Sequence, residues 1–143
     1  VADYTQDSVY LYNESGTRLR TFVNTNLNGP NTGGIEVGSD GTLYVVGSES
    51  NQVVRFNLAT GAFLGSFPVA QFPVGLEIGP DGLLYVASSG LNSVSRYDPA
   101  TGAPLGTLFQ ATFPRDIEFG PDGDLYAATD GRIVRYDFAT NQV

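Results

Sequence analysis

Three glutamates, Glu36, Glu77 and Glu118, recur at a constant step of 41 residues, each between two apolar neighbours: Ile35 and Val37, Leu76 and Ile78, Ile117 and Phe119. Carboxylates repeated in this way can do two kinds of chemistry. They can hold a hard cation such as Ca²⁺ through oxygen ligands, or they can exchange a proton as acid and base. The rest of the chain narrows the field. It contains no His and no Cys, so the commonest general base, the commonest transition-metal ligand and the thiolate nucleophile are all missing. The seven basic residues are all Arg, set against fifteen Asp and Glu, and the formal charge of −8 repels nucleic acid and anionic lipid. No apolar run approaches the roughly 20 residues that span a bilayer, which argues against membrane insertion. Val1 in place of an initiating Met is what a processed or trimmed chain, or part of a longer one, presents.

The glutamates belong to a longer repeat. Gly38-Ser39-Asp40-Gly41-Thr42-Leu43-Tyr44-Val45-Val46 returns as Gly79-Pro80-Asp81-Gly82-Leu83-Leu84-Tyr85-Val86-Ala87 and as Gly120-Pro121-Asp122-Gly123-Asp124-Leu125-Tyr126-Ala127-Ala128. A second block follows each copy: Val53 to Asn57, Val94 to Asp98 and Ile133 to Asp137. Every repeat reads as four extended pieces separated by turn residues, which is the content of one β-propeller blade. In the second repeat these are strand A around Gly75 to Ile78, B over Leu83 to Ala87, C over Ser93 to Asp98 and D over Pro104 to Phe109. Pro-Asp-Gly suits a type I turn closed by a residue of positive φ, so Asp40, Asp81 and Asp122 read as turn formers. Asn57, Asp98 and Asp137 read the same way at the C-to-D corner. The whole chain is then one all-β domain of four-stranded antiparallel blades, an incomplete ring in one chain. Residues 1–33 form the end of one blade, 34–74 and 75–115 form two full blades, and 116–143 form an incomplete one. Strand A lines the channel of a propeller, which places Glu36, Glu77 and Glu118 as a partial carboxylate ring. The competing reading pairs each of them with a repeated arginine, Arg55, Arg96 or Arg135, as a tie between blades.

The pattern G-P-D-G-x-L-Y-V-A, followed by S-V-x-R-Y-D-x-x-T-G-x-x-L-G, resembles the NHL-repeat and gluconolactonase-like (regucalcin-like) group of six-bladed propellers, and also their streptogramin lyase branch. The resemblance covers nearly the whole chain and implies the fold. For activity it implies less. Gluconolactonase-like enzymes hold a divalent metal in the channel, and the only matching candidates here are Glu36, Glu77 and Glu118, as a site for Ca²⁺ if any cofactor is present. The lyase branch relies on a catalytic His, which this sequence lacks.

Propeller D-to-A and B-to-C connections share one face, the usual ligand face. The segment 23–34 is the longest D-to-A connection, and its polar residues Asn24, Asn26, Asn28 and Asn31 are candidate contacts, together with Glu49, Asn51 and Asn92 from B-to-C hairpins. Asn13-Glu14-Ser15 matches an N-glycosylation acceptor at a hairpin tip. Because turns and core account for nearly every repeated residue, the sequence points to a non-catalytic scaffold or interaction module, extracellular or at the cell surface. Its partner is then another protein or further copies of itself. Two alternatives stay open: a fragment of a metal-dependent lactonase-like hydrolase, and a structural subunit that completes its ring or a fibre with other copies.

Overall fold

The computed structural model describes residues 1–3, 8–23 and 32–143, and among these the chain forms fourteen strands and no helix. They make four antiparallel sheets in chain order. The first contains β1 (Ala2–Asp3), β2 (Ser8–Tyr12) and β3 (Arg18–Val23); the second β4 (Thr32–Val37), β5 (Thr42–Gly47), β6 (Gln52–Asn57) and β7 (Phe63–Pro68). The third contains β8 (Pro73–Ile78), β9 (Leu84–Ser88), β10 (Ser93–Tyr97) and β11 (Pro104–Gln110); the fourth β12 (Asp116–Phe119), β13 (Leu125–Thr129) and β14 (Arg132–Tyr136). Among the described residues the two middle sheets have four strands each and the two outer sheets three.

Turn chemistry fixes each hairpin. Asp40 Oδ1 accepts from the Thr42 N–H at 2.9 Å and Asp81 Oδ1 from Leu83 N–H at 3.1 Å, while Gly41 and Gly82 both sit at φ +78°. A residue with a Cβ is strained at that φ, so glycine closes the turn. Strand B of the third sheet starts at Leu84 rather than Leu83, and the Leu83 carbonyl accepts from Gly79 N–H at 2.9 Å to close the turn. At the C-to-D corner Asp98 Oδ1 accepts from both Ala100 and Thr101 N–H, each at 2.9 Å. Those donors hold the Asp98 carboxyl below its usual pKa.

The sheets are apolar on both faces where a neighbour stands on each side. Val9 and Phe22 of the first sheet pack on Leu43, Val45, Val54 and Phe56 of the second. The other face of the second sheet, with Tyr44, Val46 and Val53, packs on Leu76, Leu84, Val86 and Tyr97. The far face of the third sheet then meets Ile117, Leu125, Ala127, Val134 and Tyr136 of the fourth. Each interface carries the same aromatic contact, from strand D of one sheet to strand C of the next: Phe22 on Phe56 (ring centroids 5.7 Å apart), Phe67 on Tyr97 (6.4 Å) and Phe109 on Tyr136 (5.3 Å). Such pairs add roughly 0.5–1.5 kcal/mol beyond the area they bury. Nearest the axis the A strands approach so closely that a Cβ on Gly34 would lie 3.1 Å from Gly75 Cα, and one on Gly75 would lie 3.0 Å from Asp116 Cα.

Candidate functional site

Cross-strand register decides where the repeated charges go. Glu36 stands opposite Tyr44, which stands opposite Arg55, and the rows Glu77, Tyr85, Arg96 and Glu118, Tyr126, Arg135 are identical. Opposed residues share a face, so a tyrosine separates each glutamate from its arginine. Nor does any ion pair among the described residues join Glu36, Glu77 or Glu118 to an arginine of a neighbouring sheet, so the Glu-to-Arg tie between blades gives way to another. Arg55 donates instead to the Pro99 carbonyl (3.2 Å) and the Ala100 carbonyl in the next sheet's C-to-D corner, and Arg20 reaches Thr60 O and Ala59 O (2.8 Å) in the same way. Arg135, on the outermost sheet, turns back to Asp124, with 2.8 Å from Nε to Oδ2.

The glutamates keep one another's company. Burial, followed by the charges of Glu36, Glu118 and Asp116, pushes the Glu77 carboxyl up to about 7. Glu36 is raised by burial and then by Glu118, partly offset by a hydrogen bond from the Val37 backbone. Mutual repulsion of this kind is felt across a channel, but a bound cation needs converging oxygens at about 2.3–2.6 Å. Among the described residues no three Asp, Glu, His or Cys side chains stand in metal-holding geometry. The trio is not brought into such a geometry, and what stands out in it is the Glu77 carboxyl, raised to about 7.

The loop face is built differently. Asn51 and Asn92 adopt left-handed backbone (φ +55° and +52°), and their side-chain oxygens accept from Phe72 N–H (2.7 Å) and Phe113 N–H (2.8 Å), residues of the following D-to-A connections. The two phenylalanines are themselves left-handed, at φ +48° and +44°. For a bulky side chain that conformation costs on the order of 1–3 kcal/mol. The frame around them is rigid. Pro73 and Pro114, directly after each Phe, are fully buried, and the Phe72 carbonyl accepts from Ser89 N–H (3.0 Å) and Ser89 Oγ (3.1 Å). Ser88 Oγ donates to the Gln71 carbonyl beside it. Phe72 and Phe113 are each 51% exposed, with Leu91 exposed on the same face.

Of the residues singled out in the sequence, Asn51 and Asn92 thus brace the loops, Glu49 lies exposed in the β5–β6 hairpin, and Asn24, Asn26, Asn28 and Asn31 lie outside the described residues. Phe72 and Phe113 are not among the candidate contacts named from the sequence. Their signal was available, since Phe-Pro recurs at the same 41-residue step. At the opposite end of the sheets a cleft of about 470 Å³, lined by Leu11, Leu19, Arg20, Asp40 and Leu58, is a seam already spanned by the Arg20 bonds.

Comparison with known proteins fits this geometry. Residues 104–136 match the N-terminal family model of strictosidine synthase-like proteins. Solved structures align over nearly the whole chain: hydrazine synthase of Kuenenia stuttgartiensis (TM-score 0.77, 24% identity, 94% of this chain and 41% of that one) and the WD40 β-propeller domain of Doa1 (0.76, 14%, 93% and 44%). The chain is a β-propeller array. A streptogramin B lyase aligns similarly (0.75, 21%, 91% and 44%), so the array spans less than half the length of the solved chains it matches. No curated protein matches it.

Proposed function

We propose that this propeller array is an interaction module that grips a protein partner on its loop face, with Phe72, Leu91 and Phe113 as apolar anchors. The observation that carries this reading is the pair of half-exposed phenylalanines, held in an unfavourable backbone conformation by Asn51 and Asn92 on two successive sheets. Strain of this kind persists where surrounding structure enforces it, and it concentrates at functional positions. Rigid aromatic groups also lose little freedom on binding, which is why they dominate contact energy at interfaces. The net charge of −8 favours a partner segment that flanks its apolar residues with Lys or Arg. The reading places the protein outside the cell or at its surface, consistent with Asn13 at an exposed hairpin tip. The likeness to a lyase extends to the fold, and the His on which that activity depends is absent from the sequence.

A peptide library selected against the immobilised chain tests the proposal. Selected peptides should carry an aromatic or aliphatic residue beside basic ones, and the double variant F72A/F113A should weaken their binding more than tenfold while leaving the circular dichroism spectrum unchanged. Peptides that bind the double variant as tightly as the wild type would refute it. The Glu77 carboxyl near 7 supports a second reading, proton transfer in a lactonase-like hydrolase fragment. Lactone hydrolysis that disappears in Glu77→Gln would favour that reading, and hydrolysis indifferent to the change would remove it.

A further inference from the structure

Three residues of the fourth sheet depart from the repeat, and all three meet at one cavity. Phe119 takes the position of Val37 and Ile78, Phe138 that of Leu58 and Pro99, and Asp124 that of Thr42 and Leu83. The cavity, of about 210 Å³, opens between the third and fourth sheets at the end opposite the loop face, and is lined by Pro80, Asp81, Tyr85, Phe119, Gly123 and Phe138. The Tyr85 ring stands nearly perpendicular to both phenylalanines, at 80° to Phe119 and 86° to Phe138, with centroids 5.1 Å and 6.1 Å away. The two phenylalanine rings lie 24° from parallel at 5.8 Å. The frame behind the rings is fixed. The Tyr85 hydroxyl donates to Asp81 Oδ2 at 2.8 Å, and the buried Asp124 accepts from Phe138 N–H (3.1 Å, to Oδ1) and from Arg135 Nε (2.8 Å, to Oδ2). Phe119 and Phe138 are half-buried, so they wall a space between the sheets without closing it.

We propose that this cavity is a binding site for a methylated ammonium group, the chemistry shared by choline and a trimethylated lysine side chain. The faces of aromatic rings attract cations, most strongly where water is excluded. Among the described residues the lining carries one charged side chain, the exposed Asp81 carboxylate, and Arg96, opposite Tyr85 in register, lies outside it. The charge of the site and the net −8 of the chain thus both favour a cation. Methylation is what the walls select. A bare ammonium is a strongly hydrated point charge whose donors this largely apolar lining would leave short of acceptors. A methylated one has lost those donors, keeps its charge and offers apolar surface to three rings. The site lies away from the Phe72 and Phe113 anchors and does not depend on their role.

Titration of the chain with choline, followed through its aromatic resonances by NMR, tests this. Choline should saturate shifts of the Tyr85, Phe119 and Phe138 rings, and its uncharged isostere, with tert-butyl in place of trimethylammonium, should bind about tenfold more weakly or worse. Phe119→Ile and Phe138→Leu restore residues that the other repeats carry, so each should keep the circular dichroism spectrum while weakening choline about tenfold. Asp81→Asn, which keeps an oxygen for the Leu83 N–H, should weaken it about fivefold. Equal binding of choline and the isostere would overturn the cation reading. Choline binding undiminished in both phenylalanine variants, or absent up to about 50 mM, would overturn the site. A trimethyllysine peptide that binds more tightly than choline would support a protein side chain as the source of the group, and the reverse order would support a small molecule or lipid headgroup.

Discussion

The third and fourth sheets are near copies in sequence and opposites in environment. In the third, Val94, Tyr85 and Glu77 lie under a neighbouring sheet, and in the fourth their counterparts Ile133, Tyr126 and Glu118 look outward. The same letters therefore carry different physics. Under cover, the row of residues becomes core and its glutamate gains a proton near neutral pH, whereas uncovered it is surface. Position within the array, more than residue identity, decides which role a repeated side chain plays.

The largest expected contrast is a buried charge. Val94→Asp should cost more than about 4 kcal/mol and unfold the chain or nearly so, because an unpaired carboxylate would sit in a dry interface. Ile133→Asp in dilute single chains should change stability by no more than about 0.5 kcal/mol. Urea melts of both variants would measure the difference, and equal effects would break the comparison. Next comes crowding near the axis. Gly75→Ala puts a Cβ 3.0 Å from Asp116 Cα and should cost about 1–3 kcal/mol, whereas Asp116→Ala, at an exposed position, should stay within about 0.5 kcal/mol.

The smallest contrast is in pH. The Glu77 pKa rises from 4.5 in the unfolded chain to about 7 in the folded one, so the folded state binds more protons between those values. Stability contributed by this group is therefore present below 4.5 and is lost as pH climbs to about 7. Glu77→Gln should raise the melting temperature at pH 8 by about 1–4 °C and leave it unchanged at pH 4, a result readable by calorimetry. The same substitution at the exposed Glu118 should raise the melting temperature at pH 8 by less. A gain at pH 8 that is equal for the two sites would show that burial under the neighbouring sheet is not what separates them.

Much of this architecture is legible in the sequence because the turns are written locally. Asp81 bonds a backbone N–H two residues on, and Gly82 supplies the positive φ beside it, so both can be read from the tripeptide Pro80-Asp81-Gly82 alone. The site was harder to read because its partners are distant. Asn51 accepts from a residue 21 positions away, so its side chain looks like a free contact in the sequence and proves to be a brace. The expected pairing of Glu36 with Arg55 failed for a similar reason. Both lie on one face of the sheet, but the register sets Tyr44 between them, and registers are fixed by three strands together.

The aromatic pairs that fasten each sheet to the next join Phe22 to Phe56, Phe67 to Tyr97 and Phe109 to Tyr136, so each joins adjacent repeats and none skips one. Folding energy in this chain is thus nearest-neighbour, like a row of coupled spins. Assembly can begin at any junction and spread outward, without first joining distant ends of the polypeptide. Damage would spread by the same rule. Loosening the Phe67–Tyr97 junction should divide the melt into two cooperative steps, one for each side of the break, instead of lowering a single transition.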